Sequence, residues 1–345
     1  MRRPLAALAC LTIALAATAT ATAQSRAAKR SWADPEIRIV VAHGLMARDV
    51  STFRPDRPLT KGALASLVAG LGRTPASFTP DAPDATTVTM AQLDARIVKG
   101  LGYGATATAF ADGARAAGLT PPSRFGTEVV ARLIGLRVNH PAAQDDLELG
   151  PNDPATRAEA AYSAAAALRL EDWNTDALDE EASTFTLPEL TPWQAEVLQT
   201  AIKLIGYPYV WAGTSELPQS PTGKTVPGGF DCSGFVWRVF KLQAYDGGET
   251  LADTLKGRTA AEMAGEVGRA KRISYAKLQP GDIMFFATSG SLTKAASVDH
   301  TGIYLGNGWM IHSSRYGVAV VPVTSGWYRD RFAWGRRPLA EAGLS

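Results

Sequence analysis

The chain has 345 residues, 46% hydrophobic and 20% charged, and a formal charge of +2. That apolar share supports packed cores without disulfides, and the length suits two domains. A charge so close to balance leaves no basic footprint, so no nucleic-acid partner is expected.

Residues 1–23 read MRRPLAALACLTIALAATATATA. Arg2 and Arg3 form a short positive region, Leu5 to Ala17 an apolar run too short to span a bilayer comfortably, and Ala21-Thr22-Ala23 a small-residue cleavage site. This is the layout of a secretory signal peptide, with Gln24 as the expected mature N-terminus. An uncleaved anchor and a lipoprotein acylated at Cys10 are the other readings, but Ala7-Leu8-Ala9 is a poor lipobox. Cleavage leaves 33 basic and 33 acidic residues, a single cysteine, Cys232, and no segment that would hold the chain in a membrane.

A helical half is predicted over residues 31–170. FRPDRPLTKGALASLV (53–68) aligns without gaps to LGPNDPATRAEAAYSA (149–164), and VTMAQLDARIVKGLG (88–102) reads as a third copy. Each places a threonine (Thr60, Thr156, Thr89) before a helical pattern, as in loop–helix modules that stack. The region resembles S-layer-homology repeats through Thr156-Arg157-Ala158-Glu159. That resemblance implies attachment to a cell-wall polysaccharide; a helical spacer without a ligand is the alternative.

Residues 171–190, EDWNTDALDEEASTFTLPEL, read as an acidic linker. Thr191 then caps a helix, with Pro192 in its first turn and Gln194 completing a capping box. Val197, Leu198, Ala201, Ile202 and Ile205 form its apolar stripe. A peptidase half over 191–345, excised at this point, is expected to remain active.

In FDCSGFVWRVFK, Asp231 is a plausible cap and Phe235, Val236, Val239 and Phe240 repeat at helical spacing. Cys232 therefore falls in the first turn, where free N–H groups favour a thiolate. A lone cysteine in an exported chain implies intermolecular pairing or a reactive thiol, with a buried, inert thiol as the alternative. Its candidate base lies in DHTGIYLGNGWMIHSS, which reads as a hairpin carrying His300 and His312. His43 and His140 read as ordinary surface or loop residues.

Hairpin register decides whether the two histidines can meet. A two-residue Asn307-Gly308 turn pairs Gly306 with Trp309 and His312 with Ile303, which puts the two histidines on opposite faces. A three-residue Gly306-Asn307-Gly308 loop with a bulge pairs Leu305 with Trp309 and His312 with Gly302, which brings them to one face. The bulged form is predicted. A zinc site on Cys232, His300 and His312, with Asp282 or Asp299, is a weaker alternative because the short paired ligand spacings are missing. No metal or cofactor is expected.

YVWAG (209–213), DCSGF (231–235), LQPGDIMFF (278–286) and HTGIYLGNG (300–308) followed by His312 together resemble the NlpC-type cell-wall peptidases, a papain-like family. The resemblance implies an α+β domain in which an antiparallel sheet packs on a nucleophile helix. It makes Cys232 the nucleophile, His300 the base, His312 the third member and Tyr209 the group that polarises the carbonyl. It places Asp231, Ser233 and Trp211 at the substrate. Ala212 stands where the family often has glycine, and the loop 214–229 is longer than usual. The implied substrate is the peptidoglycan stem peptide, cut at a γ-D-glutamyl bond to a diamino acid by a secreted, wall-associated enzyme. An amidase or acyltransferase would share every motif, and a wall-binding protein with an inert site is the alternative from another class.

Overall fold

Threonine caps organise the helical half. In the computed structural model, which describes residues 31–72 and 84–344, Thr60, Thr89 and Thr156 each accept the backbone N–H three residues on, at the starts of helices α2 (Lys61–Leu71), α3 (Met90–Gly100) and α6 (Arg157–Ala167). The residues before these caps interlock. Leu59 N–H donates to Ala155 C=O at 2.7 Å, Ala155 N–H to Val88 C=O at 2.9 Å, and Val88 N–H to Leu59 C=O at 3.0 Å. This closed ring explains the third copy: each unit lacks a strand partner of its own and takes one from its neighbour. The helices α1 (Asp34–Ala42), α4 (Gly104–Ala116) and α5 (Phe125–Leu133) complete this half. The signal-peptide reading lies outside the described residues.

The stretch expected as a linker is instead the helix α7 (Asp172–Thr184), followed by Phe185. Leu178, Ala182 and Phe185 are buried. A few apolar residues in an acidic segment were enough to seat one face against α4, while Asp176, Asp179 and Glu180 stay exposed and Asp179 accepts from the Thr106 hydroxyl of α4 at 2.7 Å. Helix α8 (Pro192–Lys203) follows with the predicted capping box, Thr191 against Gln194.

The remaining chain forms a short ribbon, β1 (Thr214–Ser215) with β2 (Gly229–Phe230), and then helix α9 (Cys232–Trp237), which runs into a π turn at Arg238–Leu242. The short helices α10 (Leu251–Thr254) and α11 (Ala260–Gly265) lead to an antiparallel sheet. Its strands are β3 (Ile283–Phe286), β4 (His300–Gly306), β5 (Trp309–Ser314), β6 (Gly317–Pro322) and β7 (Phe332–Arg336), in the order β6-β5-β4-β3-β7. Helix α12 (Gly326–Arg331) precedes β7, and α13 (Pro338–Glu341) follows it. All five strands fall on runs that read as β-rich in the sequence, IMFFAT, HTGIYL, WMIHSS, GVAVVPV and FAWGRRP, each separated by turn residues. Helix α9 packs on β4 and β5, with Phe235, Val236, Val239 and Phe240 fully buried.

Trp32–Ser345 form one unit with a shared core. Trp309 of β5 stacks edge-on against Phe110 and Phe185 at 5.7 and 5.0 Å. Arg124 donates to the C=O groups of Ile205 (2.9 Å) and Lys203 (2.6 Å), closing the end of α8. Among the described residues, no helix is long and apolar enough to cross a membrane.

Candidate active site

Cys232 occupies the first position of α9, where Asp231 is the cap. The Asp231 backbone is extended, and its Oδ1 accepts the Gly234 N–H at 2.5 Å. The same carboxylate pairs with Arg258 at 3.1 Å, and Arg258 also donates to the Ser233 hydroxyl at 2.8 Å. Asp231 and Ser233, expected at the substrate, are thus tied into the helix start. Sequence reading missed Arg258, because nothing near it marks an arginine whose partner lies 27 residues upstream. Gly234 permits the close fit: a Cβ there would stand 1.9 Å from the Gly213 carbonyl oxygen. Ala212 has φ +59°, a left-handed conformation that explains a glycine preference at this position.

The hairpin brings the histidines together. Ile303 pairs with Ile311 and Tyr304 with Met310, which is the predicted register over the body of the strands. The turn differs in detail. Gly306 pairs with Trp309, so the loop is the two residues Asn307-Gly308, and the bulge sits one step back, between Tyr304 and Gly306. Gly306, Asn307 and Gly308 all have positive φ, so the bulge and the tight turn share the glycines that a three-residue loop would have used. His300 Nε2 and His312 Nδ1 lie 2.7 Å apart. Gly302 leaves the necessary room, since a Cβ there would meet Met310 Sδ at 2.5 Å and His312 Cβ at 2.8 Å. The far nitrogen of His312, Nε2, is 3.4 Å from the Tyr328 hydroxyl on α12, another partner that the sequence did not disclose.

Cys232 is buried, and the hydrogen-bond contact of its Sγ is with the Asp299 carbonyl oxygen at 3.9 Å, beside His300 in the chain. Among the described residues it makes no hydrogen bond to the His300 imidazole. Burial pushes the thiol up to about 12, and the Asp231 carboxylate adds to this; the N–H groups of Ser233 and Thr301 pull the other way. Burial pushes His300 down to about 4, against Asp299. It lowers His312 well below the usual histidine range, with His300 adding to the effect. The resting site therefore holds a thiol and two neutral imidazoles. This corrects the first-turn thiolate expected from sequence: the helix-start N–H groups act in the expected direction, but desolvation is larger. A neutral pair has one consistent tautomer chain that leaves a base facing outward. His300 Nε2–H donates to His312 Nδ1, His312 Nε2–H donates to Tyr328, and His300 Nδ1 keeps its lone pair.

Tyr209 is half-buried. Its hydroxyl is raised by burial first and by the neighbouring Cys232 second, and so stays protonated. Trp211 is 56% exposed. Of the residues considered for zinc, Asp282 is paired with Arg337 at 2.8 Å, and Asp299 accepts from Thr288 N–H at 2.9 Å. His140, read as a surface or loop residue, lies in a loop but is buried there and bonded to Glu148 at 3.1 Å.

Residues 206–337 match the NlpC/P60 family, and residues 28–65 match the S-layer homology domain. The chain is 32% identical over 152 residues to a gamma-D-glutamyl-L-lysine dipeptidyl-peptidase of Bacillus cereus, covering 43% of this chain and 38% of that protein. It is 35% identical over 142 residues to a bifunctional muramidase/DL-endopeptidase of Bacillus subtilis, covering 41% and 35% respectively. A crystal structure of an NlpC/P60 family protein from Bacillus cereus aligns at 28% identity and a TM-score of 0.32, over 45% of this chain and 43% of that one. The chain thus spans well under half the length of these relatives.

Proposed function

From an NlpC/P60 domain over residues 206–337 and an S-layer homology domain over 28–65, we propose a secreted, wall-associated cysteine endopeptidase of peptidoglycan stem peptides. The observation that carries this reading is the helix-start thiol beside the His300–His312–Tyr328 chain. On substrate binding, His300 Nδ1 takes the Sγ proton and the thiolate attacks the peptide carbonyl. The Tyr209 hydroxyl and helix-start N–H groups stabilise the oxyanion. Protonated His300 then gives the proton to the leaving amine. Water, deprotonated by the same nitrogen, hydrolyses the thioester. His312 holds the tautomer that keeps Nδ1 basic. The bond assigned is γ-D-glutamyl to a diamino acid, supported by the name of the Bacillus cereus relative, a gamma-D-glutamyl-L-lysine dipeptidyl-peptidase. Mass spectrometry of digested muropeptides tests it: a cut at that bond is expected. Release of an amide or a transferred acyl group instead would give the amidase or acyltransferase reading.

The pH dependence has a definite sign. His300 is available as a base wherever it is neutral, and its folded value is lowered to about 4. The acid limb of kcat/KM is therefore expected near pH 4, and iodoacetamide should label free Cys232 slowly at neutral pH. An acid limb at or above 6.5, the ordinary histidine value, would contradict the neutral pair.

The helical half is assigned wall attachment. A cleft of about 990 Å³ between α2 and α3 carries three cations, Lys61, Arg96 and Lys99, against one carboxylate, Asp84, around an apolar floor of Leu64, Val68 and Val88, a net positive surface suited to an anionic polysaccharide. The full chain with Cys232→Ala should sediment with purified sacculi, and Arg96→Glu with Lys99→Glu should weaken this several-fold. Sedimentation unaffected by those charges would leave the helical half a spacer.

A further inference from the structure

Residues 208–210 pass beside the nucleophile helix into a turn at Trp211, and the backbone hydrogen bonds of this segment alternate. Val210 N–H donates to Phe230 C=O at 3.3 Å, and Phe230 N–H to Pro208 C=O at 3.1 Å, so one edge is bonded to the residue that precedes Asp231 and Cys232. On the other edge, among the described residues, there is no strand. Tyr209 N–H donates to the side-chain Oδ1 of Asn139 at 2.9 Å, and Trp211 N–H to Oδ2 of Asp145 at 2.8 Å. Both acceptors belong to the helical half, 70 and 66 residues upstream. They are two residues apart on the recipient, as one edge of an extended segment requires. Their loop is itself locked: His140 N–H and Nδ1 both bond Glu148 Oε1, at 2.5 and 3.1 Å, and the Asn139 amide donates to the His140 carbonyl at 3.0 Å.

We propose that Asn139 and Asp145 are positioning residues of the active site, substituting for a missing strand so that the helical half fixes Tyr209 against Cys232. They touch neither thiol nor substrate. They act through the Tyr209 and Trp211 amides, on the edge opposite the Val210–Phe230 and Phe230–Pro208 bonds. The proposal rests on the peptidase reading for its kinetic consequence but not for its structural one.

The test uses the full chain with Asn139→Ala, Asp145→Ala, and the acceptor-retaining Asn139→Asp and Asp145→Asn. Hydrogen exchange at the Tyr209 and Trp211 amides should rise at least tenfold in the alanine variants, while exchange in β4 and β5 stays as in the parent. With active sites counted by Cys232 alkylation, kcat on muropeptides should fall up to roughly 10²-fold, the cost of a misplacement of about 1 Å. KM should change much less. The acceptor-retaining variants should recover most of kcat. In a Tyr209→Phe background, Asn139→Ala should add little further loss, which a merely structural role would not produce. Unchanged exchange at the two amides overturns the proposal, and so does raised exchange with unchanged kcat. A parent that cleaves no muropeptide would defeat the peptidase reading alone, because exchange, together with the alkylation rate of Cys232 in place of kcat, still reads the contact.

Discussion

Cys232→Ala is expected to abolish muropeptide cleavage, by ~10⁴-fold or more, since removing the nucleophile of a triad costs about as much as removing the whole triad. The fold should survive. The change removes one buried sulfur, with its 3.9 Å contact to the Asp299 carbonyl, a loss of about 1 kcal/mol. Cys232→Ser should be nearly as inactive. A thiol whose value burial has raised to about 12 is already hard to ionise, and a hydroxyl in the same place is harder still. Cleavage that persists in the alanine variant at more than a few per cent of the parent rate, measured by mass spectrometry of the products, would remove Cys232 from the mechanism.

Excising residues 191–345 is expected to destroy the activity that a self-sufficient peptidase domain would keep. Sequence suggested such a domain, because the acidic stretch before Thr191 reads as a connector. The cut would uncover Trp309, which is 2% exposed in the intact chain and packed on Phe110 and Phe185. Exposing a buried tryptophan of roughly 200 Å² at roughly 25 cal/mol per Å² costs up to ~5 kcal/mol. That is comparable with the whole stability of a typical domain, roughly 5–15 kcal/mol. The end of α8 would lose Arg124, and the Tyr209 and Trp211 amides would lose Asn139 and Asp145. The fragment should aggregate or melt well below the full chain, and its soluble fraction should cleave at least tenfold more slowly per alkylatable Cys232. A fragment with the parent melting temperature and rate would show that the two halves are energetically independent.

Some of this was open to reading from the chain itself. Local patterns are decided by neighbours within a turn or two, so the Thr191–Gln194 capping box, the Asp231 cap, the five strands and the threonine starts of the repeats all stood in the sequence. The facing of His300 and His312 was also legible, because side chains alternate along a strand and only one register puts both on one side. The exact seat of the bulge was not, since several glycines in GNG could each absorb the positive φ. Other features depended on contacts that no local pattern encodes. The buried faces of α7, the Arg258 clamp on Asp231 and Ser233, Tyr328 behind His312, and the Asn139 and Asp145 acceptors all join residues far apart in the chain. The protonation state belongs to the same class. A helix start favours a thiolate by itself, but desolvation is a property of everything packed around Cys232 and His300, and only the folded chain sets how much water they lose.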